Sequence, residues 1–174
     1  IMNCIIRPCT VKDCKVILQL IKALGQMTGS DVCVSFPGPA LREDGFGAQP
    51  MYDCYVAELP SGQNSKKGDS IVGYVLSTYT YSTWKGRNVY IDNLYVRPEF
   101  RGMAGQQIGK QLMKKTAEVA LKKGCSQIRM HVARWKENEN RFLTCCGSEN
   151  LTAKEGWNLF RFEEDTLWRL AAHN

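Results

Sequence analysis

One stretch of the chain has the residue types and spacing to grip a phosphate-bearing ligand. It is Arg101-Gly102-Met103-Ala104-Gly105-Gln106-Gln107-Ile108-Gly109-Lys110. It reads as a glycine loop, Arg101 to Gly109, that runs into a helix. A helix N-terminus offers unpaired backbone N–H groups and a partial positive charge. Glycines let an anion come close to that backbone, and Arg101 adds a cation suited to a pyrophosphate. Two neighbouring patterns do not fit. Residues 104–111 approach a nucleotide-hydrolysing loop, but Ala104 stands for the first glycine and Gln111 for the hydroxyl that would bind magnesium. A dinucleotide GxGxxG is absent.

The elements around this stretch must position it. Ile5 and Ile6 open a short strand, and Thr10 stands three residues before Asp13 in a capping-box pattern. Val11, Cys14, Leu18, Ile21 and Leu24 follow at helical spacing. Gly25 to Gly38 reads as loop and Pro39 to Glu43 as a short helix. Tyr52–Glu58, Ser70–Tyr81 and Asn88–Val96 read as strands. Their connections, a polar turn at 60–68 and Trp84-Lys85-Gly86-Arg87, are too short for parallel crossovers, so an antiparallel meander is expected. Pro98 ends the third of these strands. The helix after the glycine loop ends near Lys123-Gly124, as a glycine C-cap requires. Gln127–Ala133 alternates as a half-buried strand. A helix near Asn138–Cys145, a strand around Asn158–Phe162 and a short C-terminal helix complete the pattern. The expected fold class is α+β, a single domain over 1–174 with a mixed, mostly antiparallel central sheet flanked by helices.

Composition narrows the function. The chain has 174 residues, 44% hydrophobic and 23% charged, enough for one sizeable core. No apolar run reaches membrane-spanning length, and no secretory leader pattern opens the sequence, so a cytoplasmic location and no membrane partner are expected. Eight cysteines at 4, 9, 14, 33, 54, 125, 145 and 146 form no CxxC pair, and His131 and His173 are the two histidines. Reduced thiols and no metal site are expected. The net charge of +6 suits phosphates, but the lysine pairs at 114–115 and 122–123 lack interleaved aromatics and read as a solvated helix face. No nucleic-acid partner is expected.

Several segments together resemble the GCN5-related N-acetyltransferases, and within them the branch that acetylates diamines, polyamines and thialysine. These are Tyr90 to Gly102, Asp44-Gly45-Phe46-Gly47, Trp84-Lys85-Gly86 and Glu155-Gly156-Trp157. The resemblance runs from Ile5 to Leu170. It implies an acetyl-CoA-dependent N-acetyltransferase moving an acetyl group to a primary amine of a small diamine, polyamine or thialysine-like substrate, and a homodimer. It implies that the backbone of Leu94, Tyr95 and Val96 pairs with the pantetheine arm. It implies that Arg101, Gly102, Gly105, Gln107, Ile108, Gly109 and Lys110 hold the pyrophosphate. Asp92 matches the catalytic acidic residue of the family's fourth strand, and Asp92, Asn93, Glu155 and Trp157 match its acceptor side.

Three departures from the family pattern carry consequences. The glycine loop has three residues more than the pattern, which would displace its N–H donors. Leu143 falls where the family has the tyrosine that protonates the departing thiolate, and leucine has no proton to give. Cys145 and Cys146 lie beside it as thiol substitutes or plain helix residues. Thr28, Ser82 and Asn93 stand where polyamine enzymes carry acids, which weakens attraction for a polycation. The alternative implied by these departures is a weakly active or non-catalytic CoA-binding paralogue that acts through a partner.

Overall fold

The computed structural model describes residues 3–27, 38–63 and 69–172. Thr28 and Cys33, and parts of the expected loop Gly25–Gly38 and of the polar turn, lie outside them. Five strands are β1 (Ile5–Pro8), β2 (Asp53–Glu58), β3 (Ile71–Ser82), β4 (Gly86–Val96) and β5 (Gln127–Met130). The helices are α1 (Cys14–Met27), α2 (Gly38–Phe46), α3 (Met103–Lys122), α4 (Glu137–Cys145), α5 (Leu151–Glu155) and α6 (Glu164–Ala172). The chain divides into two compact units, residues 1–131 and 132–174.

In the first unit the sheet order follows the sequence, β1-β2-β3-β4-β5. The first four strands pair antiparallel, as short connections require, and β5 pairs parallel to β4 after the α3 crossover. Alternation along the strands sorts side chains to two faces. Val56, Tyr74, Leu76 and Tyr95 pack with Ile17 and Leu20 of α1 and Leu41 of α2. Ala57, Val75 and Ile91 pack with Ile108 and Leu112 of α3. Each fully buried aliphatic side chain adds roughly 1.5–3 kcal/mol, so α3 is held chiefly by this stripe.

Local chemistry sets the ends of these elements. The Thr10 amide donates to Asp13 Oδ2 at 2.7 Å, closing the expected capping pattern on a 3-10 turn, Val11–Asp13, that leads into α1. Gly124 takes a positive φ of 71°, and the Cys125 amide returns to the Ala120 carbonyl at 2.9 Å, so α3 stops where glycine permits it.

Four expectations change. α1 runs through Gly25 to Met27, and α2 runs from Gly38 to Phe46. The segment from Met103 is helix, not loop, because Ile108 and Leu112 dock into the core and override the glycines. β5 stops at Met130 rather than Ala133. Residues 158–162 alternate as a strand does but are irregular, since no described strand pairs with them. The second unit holds α4, α5 and α6, with α5 capped by Asn150, whose Oδ1 accepts from the Ala153 amide at 3.1 Å.

Candidate active site

The sheet opens along β4. Its register with β3 runs Leu76↔Asn93 and then Ser77↔Ile91, so Asp92 is an extra residue without a partner on β3. This is a β-bulge, a feature that re-aims side chains and is over-represented beside active sites. On the other side β4 pairs with β5 only from Asn88↔Gln127 to Ile91↔Met130. From Asp92 to Val96, therefore, β4 has a strand neighbour on one side alone among the described residues. An extended ligand can add to such an edge through main-chain hydrogen bonds.

The start of α3 stands just after this edge. Gly102, its N-cap, has φ 94° and ψ −149°, a conformation that other residues resist, and no side chain caps the helix. The first four amides, Gly102 to Gly105, have no acceptor inside the helix. The sequence reading put donors at Gln107, Ile108 and Gly109 as well; these lie past the fourth position, where the amide bonds to the carbonyl four residues back. Ile108 is moreover only 1% exposed and belongs to the core. Gln107 and Lys110 are exposed on the first turns. The three additional residues thus lengthen no loop.

Arg101 is fixed by two contacts. Its Nε donates to the Val96 carbonyl at 2.8 Å, and its guanidinium carbon lies 5.3 Å from the centre of the Tyr95 ring. The exposed guanidinium is thereby anchored where the open edge ends and α3 begins.

Asp92 is exposed and Asn93 half-buried, on the stretch that also carries Tyr90 and Tyr95. Val89 and Ile91 point into the α3 side of the core, so Tyr90 occupies the opposite face. Its hydroxyl lies 2.8 Å from His131 Nδ1. Burial, then the nearby Asp92 charge, pushes the Tyr90 phenol above its ordinary pKa. Burial, then Cys54 and Asp92, does the same more strongly to Tyr74, whose hydroxyl is buried without a hydrogen-bond partner. Both phenols are therefore protonated at neutral pH. The sequence reading gave Tyr90 and His131 no role. Their only signal is a histidine inside the expected strand Gln127–Ala133, and only the pairing Tyr90↔Arg129 brings the two together.

The other candidate residues have simpler surroundings. Ser82 Oγ accepts from the Trp84 and Lys85 amides, both at 3.2 Å, and so caps the β3–β4 turn. In the second unit, Trp157 is half-exposed and its indole N–H donates to the Glu155 carboxylate. Leu143 lies half-buried on α4, and Cys145 and Cys146 are exposed. Among the described residues no cluster of His, Cys, Asp and Glu has the form of a metal site, and no helix is long and apolar enough to cross a membrane.

A bulged fourth strand that feeds an uncapped helix start through a 3-10 turn, Pro98–Phe100, and Gly102 suits an acyl-group transferase. The chain belongs to the acetyltransferase (GNAT) family, whose model matches residues 37–147. The thialysine N-epsilon-acetyltransferase of Bos taurus is 45% identical over 166 residues, covering 95% of this chain and 96% of that protein. Its Sus scrofa counterpart is 42% identical over 167 residues, 96% of each chain. A spermidine/spermine N(1)-acetyltransferase-like protein 1 of Homo sapiens is 30% identical across 95% of this chain and 23% of that protein. In fold, the chain resembles a Vibrio cholerae integron cassette protein with a TM-score of 0.73, at 19% identity over 99% of both chains. An aminoglycoside acetyltransferase from an uncultured soil sample gives 0.68 at 19% identity over 92% of this chain and 95% of that one.

Proposed function

We propose that this acetyltransferase uses acetyl-CoA and acetylates a primary amine of a small thialysine-like amino acid, diamine or polyamine. The observation that carries the reading is the open edge of β4, Asp92–Val96, lying next to the free first-turn amides of α3. The residues present suit the coenzyme. Backbone groups of Leu94, Tyr95 and Val96 receive the pantetheine arm. The amides of Gly102, Met103, Ala104 and Gly105 receive the pyrophosphate, with Arg101, Gln107 and Lys110 flanking them. When bound, the coenzyme supplies an activated acetyl thioester.

The chain's own residues supply the rest. An amine attacks only as a neutral nitrogen, so its ammonium proton must leave first. Asp92, exposed at the bulge, holds the ammonium by charge while that proton is lost. Asn93 beside it orients the acceptor without adding a second negative charge. A single carboxylate favours an acceptor with few positive charges, and the relatives named for thialysine point the same way.

Apolar surface in the second unit supports a homodimer. Phe160 is 81% and Leu159 74% exposed, large apolar side chains that a partner surface could cover. The free state of the described cysteines fits a cytoplasmic protein.

The test is acetyl-CoA-dependent thiol release with thialysine, putrescine, spermidine and a neutral-amine control. Turnover with the diamines or thialysine, fastest with thialysine, is the expected result. Absence of turnover with every amine would refute the reading.

A further inference from the structure

The pair formed by Tyr90 and His131 is not accounted for by the coenzyme edge or by Asp92. Tyr90 belongs to the penultimate residue pair that joins β4 to β5, Tyr90↔Arg129, just before the two strands part. His131 follows the last residue of β5 directly. Ile128 and Met130 face the core on the α3 side, so Gln127, Arg129 and His131 share the opposite face with Tyr90. Tyr90 Oη and His131 Nδ1 stand 2.8 Å apart, with ring centres 5.5 Å apart and planes at 55°. The contact therefore lies at the point where the sheet opens, on the face away from α3, two residues from the bulge.

We propose that Tyr90 and His131 are a proton-transfer pair that takes the proton from the acceptor ammonium. This rests on the acyl-transfer reading of the same strand. The substrate N–H bond breaks and its proton passes to Tyr90 Oη as the Tyr90 O–H proton passes to His131 Nδ1. The positive charge moves from the substrate nitrogen to the imidazole. The neutral amine then attacks the thioester carbonyl carbon and the C–S bond breaks; the acylated nitrogen releases its second proton to water, and the sulfur leaves as a thiolate that takes a proton from solvent. His131 is exposed and returns its proton to water. This direction requires the neutral ring to carry its hydrogen on Nε2.

Three features of the surroundings agree. Asp92 places a negative charge near Tyr90, which favours a cation on this face before and after transfer. Arg129, the other charged group on these strands' shared face, is turned to Gln127 Oε1 through Nε at 3.2 Å and Nη2 at 3.1 Å. An imidazole changes charge close to neutral pH, where an aspartate alone is a poor base for an ammonium.

The experiment compares the full chain with His131→Gln and Tyr90→Phe. It reads kcat and KM for amine and for acetyl-CoA from about pH 5.5 to 9.5, bracketing an ordinary histidine. Both variants are expected to lose on the order of 100-fold in kcat while KM for acetyl-CoA holds. The acidic limb of the profile is expected to vanish in His131→Gln. Without any ligand, the imidazole nitrogen resonances of His131 are expected to shift in Tyr90→Phe. An active wild type whose variants keep its profile within twofold overturns the pair. So does a uniform loss with the acidic limb intact, or an unmoved His131 signal in Tyr90→Phe. A wild type that neither binds acetyl-CoA nor turns over any amine sinks the acyl-transfer reading, and the pair with it.

Discussion

Ile91 and Met130 form the last residue pair that joins β4 to β5. One residue later β4 bulges at Asp92, and it continues to Val96 with β3 as its only strand neighbour among the described residues. The bulge and the parting coincide, so one local irregularity both presents a carboxylate and exposes the backbone proposed to receive the coenzyme. Asp92→Asn is expected to lower kcat by on the order of 100-fold, because the acceptor ammonium is no longer held where its proton is removed. Because Asp92 is exposed, unfolding stability should move by less than about 0.5 kcal/mol. Thiol release and urea unfolding of the same variant check both halves; a destabilised protein of normal kcat would contradict the assignment.

The close approach of β3 to β4 leaves no room for a side chain at Gly73. A Cβ there would lie 2.8 Å from the Tyr95 carbonyl oxygen, a backbone atom. Gly73→Ala is expected to cost about 1–3 kcal/mol as an overpacked site and to shift the strand that carries Leu94–Val96. The readings are the urea midpoint and the acetyl-CoA concentration giving half-maximal rate, with both worsening. An unchanged coenzyme dependence would show that β4 does not move with Gly73.

Arg97 ties the end of β4 to the start of β3. It is nearly buried, with Nη2 donating to Asp69 at 2.7 Å and Nε to the Ile71 carbonyl at 3.0 Å. Arg97→Met removes both bonds at similar volume and is expected to cost about 2 kcal/mol. Asp69→Asn, which keeps a neutral acceptor, is expected to cost less. Chemical denaturation of the two variants orders them.

Much of the fold was legible, because its signals are local. Alternation and turn residues placed β2, β3 and β4 within a residue or two, and Gly124 ended α3 as expected. The start of α3 was not, because glycines at 105 and 109 read as loop while the force that makes them helical is the distant docking of Ile108 and Leu112. The bulge at Asp92 was invisible for a related reason: it is a mismatch between two strands, and a one-dimensional pattern of β4 carries no register. Asp92, Leu94, Tyr95 and Val96 were singled out through family resemblance, whereas Tyr90 and His131 needed the β4–β5 pairing. The strand expected at 158–162 shows the converse, since Leu159, Phe160 and Phe162 alternate in pattern with no described strand beside them.

Arg7 links β1 to both Asp13 and Glu58, each at 2.7 Å. For Glu58 the Arg7 hydrogen bond holds the carboxyl below its ordinary 4.5. For Asp13 burial acts upward, but bonds from Arg7 and Thr10 outweigh it and the carboxyl sits below 3.8. A carboxyl with a depressed folded pKa adds stability that is present above its unfolded pKa and lost as pH falls through the folded value. The contribution is therefore complete at neutral pH and declines below about pH 4.5. Arg7→Met is expected to be less stable at pH 7 and to show a shallower acid decline; parallel curves for the two proteins would contradict the network.

The described thiols divide by exposure. Cys145 and Cys146 are exposed, whereas Cys14, Cys54 and Cys125 are buried, and the thiols of Cys14 and Cys54 are pushed up in pKa. Cys145→Ser with Cys146→Ser is expected to abolish the fastest phase of reaction with a disulfide reagent at pH 8. Persistence of that phase would place the reactive thiols elsewhere.

The most direct check of the whole account is an amide-resolved titration with acetyl-CoA. The amides of Leu94 to Val96 and of Gly102 to Gly105 should move together and saturate at one concentration, while those of β1 and β2 stay in place. Saturating coenzyme that leaves both groups unshifted, or that moves only the β1–β2 side of the sheet, would contradict it.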